Sequence, residues 1–184
     1  VDVEAAPPHQ GPKQWALLPG LARLRAIGVG ADLKGEGYDG IGLSWNYPCS
    51  SGIWSVFAKA MADPDLAKVF CNGYAYDIPM LKRYRIRFRG PIHDIRDLRR
   101  ALSSTSRTGL GPQAAMYLCV SPWKAEALED EDDEKGYVDA SRIKKSKLLK
   151  YNAEDGVRTA QIRTKQIGDL RDDPADKPRV ERLY

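Results

Sequence analysis

The chain has 184 residues, of which 42% are hydrophobic and 29% charged, and its formal net charge is +4. This length suits one domain with a full core, and the mild positive charge permits a polyanionic partner without requiring one. No apolar run is long enough to span a membrane, and the first residues lack a signal-peptide pattern. The three cysteines are widely spaced and make neither a zinc spacing nor a disulfide framework, so we expect a reducing, cytoplasmic location.

Residues 1–25 are predicted to be a lead-in segment before the folded domain. Prolines and a glycine between Pro7 and Pro12 favour a flexible stretch over residues 1–14. Leucines at helical spacing over residues 15–25 suit a short helix or turn that packs on a sheet.

Residues 26–45 predict two buried strands that are joined by a glycine-rich turn, and a hairpin is the simplest connection. The first strand ends at Asp32, where Val or Ile is usual. Lys34 lies two residues on and therefore faces the same side. A further strand predicted over residues 51–57 completes an N-terminal meander of three strands.

The rest of the chain alternates short strands with helices, which predicts an α/β fold. The predicted strands cover residues 68–71 and 91–94, and the predicted helices cover residues 58–67, 74–84, 95–102, 113–119 and 146–170. Residues 126–134 form an acidic cluster that we interpret as a solvated loop. Residues 171–184 are predicted to be a linker.

Three acidic residues stand out by their position in these elements. Asp32 ends a strand, Asp77 lies in the first turn of a helix, and Asp155 follows Tyr151 by four residues on one helical face. Each has an ordinary explanation alone: a strand cap, a partner of the helix dipole, and a common spacing. Carboxylates from separate elements repel one another and converge when a cation compensates them, and hard oxygen ligands select Mg²⁺ or Mn²⁺.

The order of three motifs carries a family resemblance. The first motif of the family, Asp-x-Glu, corresponds to Asp32-Leu33-Lys34. The second, an Asn followed by Tyr-Asp, is matched by residues 72–77. The third, Tyr-x-x-x-Asp, is matched by residues 151–155. The chain thereby resembles the proofreading 3′–5′ exonuclease domain of family A, DNA polymerase I-like, DNA polymerases, of the DnaQ-like DEDDy class. The resemblance covers roughly residues 27–170 and implies a ribonuclease H-like fold with a mixed central sheet and helices on both faces. It implies an exonuclease domain over residues 26–170 and a linker towards a polymerase domain in the same or a partner chain.

The resemblance also implies roles for the acidic residues. Asp32, Asp77 and Asp155 would hold two Mg²⁺ or Mn²⁺ ions at the 3′-terminal phosphodiester, and the products would be deoxynucleoside monophosphates. Tyr151 would hydrogen-bond the attacking water. Lys34 stands where the family has a glutamate ligand, a change of two charge units, each worth several kcal/mol at short range.

Three interpretations of Lys34 stay open: it silences the nuclease, its ammonium replaces a metal ion, or Glu36 moves in and rescues one metal. We expect impaired activity that a Lys34→Glu change raises. The alternative function is an inactive exonuclease-fold module that binds single-stranded DNA or braces a polymerase domain. A different nuclease or transferase of this fold is disfavoured because Tyr151 precedes Asp155 by four residues.

The expected partner is the 3′ end of single-stranded DNA. The resemblance implies that Asn72 and Tyr76 contact it, although Asn72 also suits a turn. Five cations follow the second motif over residues 82–89, with two aromatic residues between them. Contact with phosphates and an ordinary solvated charged face are both open interpretations of this segment.

Overall fold

The computed structural model describes residues 1–6, 20, 22–33, 36–45, 50–103, 105–121 and 143–172. In that part of the chain there are five strands and five helices. The strands are β1 (Asp2–Ala6), β2 (Arg23–Asp32), β3 (Tyr38–Ser44), β4 (Lys68–Phe70) and β5 (Ile92–Asp94). The helices are α1 (Ser50–Ala62), α2 (Asp77–Arg83), α3 (Ile95–Leu102), α4 (Leu110–Leu118) and α5 (Lys145–Asp172). No helix of the described residues has both the length and the apolar character needed to cross a membrane.

In the described part of the chain the strands form two sheets, an antiparallel sheet of β1, β2 and β3 and a parallel pair of β4 and β5, and not the one mixed sheet that was predicted. β2 and β3 make the predicted antiparallel hairpin, and β1 pairs antiparallel with the other edge of β2, with Asp2 opposite Gly28. β4 and β5 pair parallel. The nitrogen of Val1 donates to the carbonyl oxygen of Val69 at 2.6 Å, which brings β1 beside β4. This α/β arrangement is the predicted ribonuclease H-like fold class.

The two faces of the sheet carry different side chains, as the alternation of a strand requires. Ile27 of β2 belongs to the main hydrophobic core together with Phe57 of α1 and Leu81 of α2. The opposite face carries small residues and is covered by α5. Helices therefore cover both faces, as predicted.

Two local predictions are wrong. Residues 51–57 do not form a third strand but belong to α1, because Phe57 and Met61 recur at helical spacing and are buried in the main core. The third strand of the meander is instead β1. Val1, Val3 and Ala5 alternate into the core with exposures of 7%, 6% and 5%, so residues 1–6 belong to the fold and not to a lead-in segment.

Residues 23–25 belong to β2 and not to the predicted helix or turn over residues 15–25, and the predicted helix over residues 58–67 is only the end of α1, which stops at Ala62. The remaining predicted helices and strands are confirmed with small shifts of their ends. The last helix continues through Asp172, so the predicted linker does not begin at residue 171. Lys34, residues 7–19, the acidic cluster at residues 126–134 and residues 173–184 lie outside the described part of the chain.

Helix α5 lies directly on the glycines of the sheet. A Cβ atom at Gly28 would lie 1.8 Å from the carbonyl oxygen of Asn152, and one at Gly30 would lie 2.3 Å from the backbone of Gly156. No side chain fits in these gaps, so backbone meets backbone. This close approach fixes the height and the register of α5 over β2.

We expect Gly30→Ala to lower the free energy of unfolding by about 3 kcal/mol, since the new methyl group must push α5 off the sheet. Gly168→Ala is the matched control, because it lies in α5 and a Cβ atom there would have nothing within 4 Å. It should raise the free energy of unfolding by roughly 0.5–1 kcal/mol. Urea unfolding followed by circular dichroism measures both, and equal effects would contradict the close packing.

A second prediction concerns His93, which lies on β5 and is 6% exposed. Burial, assisted by the charge of Arg163, lowers the pKa of His93 to about 4. The unfolded chain, with a histidine pKa near 6.5, binds more protons between these values, so the free energy of unfolding should fall by up to about 3 kcal/mol from pH 6.5 to pH 4. In His93→Gln this slope should flatten in urea titrations at several pH values. His9→Gln, the change at the other histidine, should keep it.

Candidate active site

Three carboxylates meet where β1 and α5 approach each other. Asp2 and Glu4 of β1 and Asp155 of α5 each offer an oxygen atom, and these atoms all lie within 4.8 Å of one another. Asp2 and Glu4 share one side of the strand because they are two residues apart. Asp155 is 2% exposed, and the other two are half-buried. We call these three residues the carboxylate cluster.

A buried amide holds one member of the cluster. The Nδ2 atom of Asn152 donates to Oδ2 of Asp2 at 2.7 Å, and Asn152 is fully buried. Asn152 lies on α5 beneath Gly28, which is the residue of β2 that pairs with Asp2. The contact between α5 and the sheet thus places the amide of Asn152 within hydrogen-bond distance of the Asp2 carboxylate.

Tyr151 lies one helical turn before Asp155 and is 5% exposed. Its hydroxyl hydrogen-bonds the Asp155 carboxylate. Burial raises the pKa of Tyr151 well above its usual range, and the negative charges of Glu4, Asp155 and Asp2 raise it further. The phenol is therefore neutral near pH 7 and acts as a hydrogen-bond donor at the edge of the cluster.

Asp77 lies beside the carboxylate cluster and not within it. It is the first residue of α2, is 3% exposed, and accepts a hydrogen bond at 3.0 Å from the backbone nitrogen of Val3, between Asp2 and Glu4. Burial raises the pKa of Asp77 to about 7, although the hydrogen bond from Val3 opposes that rise. A buried carboxyl group whose pKa is raised by burial is a candidate for a functional site.

The predicted DNA contacts lie in the turn between β4 and α2. Asn72 has a φ of 73°, and its carbonyl oxygen accepts from the nitrogens of Ala75 and Tyr76 at 3.2 Å. The carboxylate of Asp94 accepts from the backbone nitrogens of Asn72 and Gly73 at 3.0 and 2.7 Å. Asn72 therefore forms the turn that the sequence suggested. Tyr76 is half-buried directly before Asp77.

The structure places Asp32 elsewhere. It lies exposed at the end of β2, four residues beyond the Gly28 that pairs with Asp2, or about 13 Å along the strand. Tyr38, its partner in β3, donates to Thr164, which is nine residues beyond Asp155 on α5. The structure therefore brings Tyr151 and Asp155 to the cluster and Asp77 beside it, but not Asp32. Glu36 is exposed as well.

The residues that sequence reasoning missed are Asp2 and Glu4. Their spacing, Asp2-Val3-Glu4, is an Asp-x-Glu pattern that is visible in the sequence. Three carboxylates this close repel one another unless protons or a cation compensate them. Carboxylate oxygens are the ligands that Mg²⁺ and Mn²⁺ prefer, so the donor set fits such a cation.

No protein-family model matches the chain. No curated protein matches its sequence either. Among solved structures, the apo form of a nuclease shares the fold with a TM-score of 0.60 at 20% sequence identity. The alignment covers 99% of this chain and 75% of that one. The chain therefore has a fold that a nuclease also has, and the predicted fold class is confirmed.

We expect Asn152→Ala to weaken Mn²⁺ binding roughly 10–100-fold, because Asp2 loses the donor that orients it. Titration calorimetry with Mn²⁺ alone measures this effect. The matched control is Gln166→Ala, which removes another fully buried amide of α5 that bonds Ile95 and Gln113 instead. The control should lose stability without losing Mn²⁺ affinity, and equal affinity losses would contradict a specific role for Asn152.

Proposed function

We propose that the chain is a metal-dependent 3′–5′ exonuclease domain whose first carboxylate pair is Asp2 and Glu4. The observation that carries this proposal is the approach of these two side chains to Asp155 within 4.8 Å. Asp2-Val3-Glu4 has the Asp-x-Glu form that the resembled family uses in its first motif. Tyr151 and Asp155 supply the third motif, and Asp77 supplies the carboxylate of the second.

This assignment changes the charge of the proposed site. With Asp32-Leu33-Lys34 as first motif the site holds three carboxylates and one ammonium. With Asp2 and Glu4 it holds four carboxylates and no lysine. Four carboxylates suit two divalent cations far better, and the reason for expecting impaired activity no longer applies. The inactive module becomes the less favoured alternative, because its basis was Lys34 in the first motif.

In this proposal Asp2, Glu4, Asp77 and Asp155 hold Mg²⁺ or Mn²⁺. Such ions, when bound, supply hydroxide at neutral pH and stabilise the leaving oxygen of a phosphodiester. The chain's own contribution is orientation. Tyr151, kept neutral by its surroundings, can offer its hydroxyl hydrogen to the attacking water.

The proposed substrate is the 3′ end of single-stranded DNA, with deoxynucleoside monophosphates as products. Asn72 and Tyr76 lie in the turn that leads to Asp77, which makes them suitable contacts for the last nucleotide. A polymerase domain, in the same or a partner chain, is proposed from the motif resemblance. The nuclease of similar fold supports hydrolysis of a phosphodiester as the general reaction.

We expect Glu4→Gln to lower nuclease activity by at least about 100-fold, since it removes one charge from the proposed ligand set. The measurement is release of mononucleotides from a labelled single strand in Mn²⁺, with strands blocked at either end to establish polarity. Asp32→Asn is the matched control and should keep full activity. Lys34→Glu should also leave activity unchanged.

The opposite pattern would decide for the other assignment. If Asp32→Asn abolished activity and Lys34→Glu raised it, with Glu4→Gln silent, Asp32-Leu33-Lys34 would be the first motif. Release of product from a strand whose 3′ end is blocked would contradict the proposed polarity.

A further inference from the structure

The connector between α2 and β5 carries three exposed arginines. Arg85, Arg87 and Arg89 are exposed, whereas Ile86 is 5% exposed and Phe88 is half-buried, both against the main core. From Ile86 onward the alternation has period two, the pattern of an extended chain with one buried edge, so Arg87 and Arg89 lie about 6.6 Å apart. Arg85 precedes them in the turn that ends α2, with a φ of 63°. We call Arg85, Arg87 and Arg89 the arginine row.

The backbone of this connector is held in place at both ends. The nitrogens of Arg85 and Ile86 donate to the carbonyl oxygens of Lys82 and Leu81 at 3.0 and 3.2 Å. At the other end the nitrogen of Arg89 donates to Met61 of α1 at 3.1 Å. The row is therefore displayed by a fixed segment, so little backbone entropy is lost when a partner binds.

In the described part of the chain, none of the three guanidinium groups of the arginine row forms an ion pair with a carboxylate. Other exposed arginines do so: Arg100 pairs with Asp97 at 2.7 Å. Three exposed cations within five residues repel one another and favour a polyanion with repeated charges.

We propose that the arginine row binds consecutive phosphates of the polynucleotide strand whose end reaches the carboxylate cluster. This inference rests on the proposed function. Arginine suits this role because its planar fork binds phosphate through two parallel hydrogen bonds. Helix α2 connects the two places, with Asp77 at its start and the connector after Arg83. Its seven residues span about 10 Å, so only a strand of several nucleotides reaches both.

The test is a binding measurement without metal, so that nothing is hydrolysed. A fluorescent oligothymidylate of about twenty nucleotides is titrated in EDTA at several salt concentrations with the triple variant Arg85→Ala, Arg87→Ala, Arg89→Ala. Loss of three phosphate contacts should reduce the slope of log K against log salt by about 2, and affinity at 0.1 M salt by about 100-fold. Replacing all three by lysine should restore most of the slope.

The matched control removes three exposed cations from the start of α5, with Lys144→Ala, Lys147→Ala and Lys150→Ala. Its slope should change by much less than that of the arginine variant. Equal slopes for the arginine variant and the unmodified chain would overturn the proposal. An equal loss in both triple variants would also overturn it, since net charge and not the row would then be responsible.

Hydrolysis of a dinucleotide separates this proposal from the nuclease proposal. A dinucleotide is too short to reach the row, so the arginine variant should cleave it like the unmodified chain while the KM for the long strand rises. Slower cleavage of the dinucleotide by the arginine variant would overturn the proposal that the row acts only by binding the longer strand. If the arginine variant has a smaller salt slope than the unmodified chain, but the unmodified chain cleaves no substrate, the binding role of the row is supported and the nuclease proposal is contradicted.

Discussion

The contact between α5 and the glycine face of the sheet governs the geometry of this protein. Gly28 accepts the backbone of Asn152 where no side chain would fit. The same Gly28 pairs with Asp2 in the neighbouring strand. One close contact therefore sets two registers at once, that of α5 on β2 and that of α5 relative to β1. As a result, Asp2 of β1 approaches Asp155, which lies three residues beyond Asn152 on α5.

That geometry has an electrostatic cost. Asp155 and Asp77 are almost completely buried; Asp2 and Glu4 lie close to Asp155, and the backbone of Val3 between them contacts Asp77. Burying one carboxylate without a partner costs several kcal/mol, and placing others beside it adds repulsion. The pKa of Asp77, raised to about 7 mainly by burial, is one expression of this cost. A divalent cation would relieve both effects, so metal binding and the stability of the fold should be coupled.

Much of the fold was predictable because most elements have clear local signals. The β2–β3 hairpin follows from its glycines, and α5 follows from its helical spacing. Asp77 at a helix start and the pair Tyr151 and Asp155 on one helical face were placed correctly on their elements. The helix over residues 51–57 was missed because a short apolar run with β-branched and aromatic residues fits either structure. The segment is helical because Phe57 and Met61 of α1 pack into the core, which is a tertiary effect.

The position of Asp2 and Glu4 in the fold could not be predicted from local pattern alone. Residues 2–6 form a strand only because they pair with residues 23–28, and this pairing is non-local. Prolines directly after Ala6 made the segment look like a flexible lead-in, although proline also commonly ends a strand. Asp32 looked equally suitable, at the end of a strand in the same sheet. What separates the two carboxylates is register, since β1 begins at Asp2 beside Asn152, whereas β2 continues to Asp32, four residues beyond the Gly28 that contacts Asn152.

The choice between these two carboxylates decides more than the position of one ligand. Lys34 weakens metal binding only if Asp32 is a ligand, because an ammonium repels cations strongly at short range and weakly across solvent. Asp32 is exposed and about 13 Å along the sheet from the residue opposite Asp2, so its own charge is largely screened from the carboxylate cluster. The net charge of the site, and with it the expectation of an active or an inactive nuclease, therefore follows from which strand supplies the Asp-x-Glu pair. In the proposed assignment that strand is β1, which is held in register by backbone pairing with β2 and by the amide of Asn152.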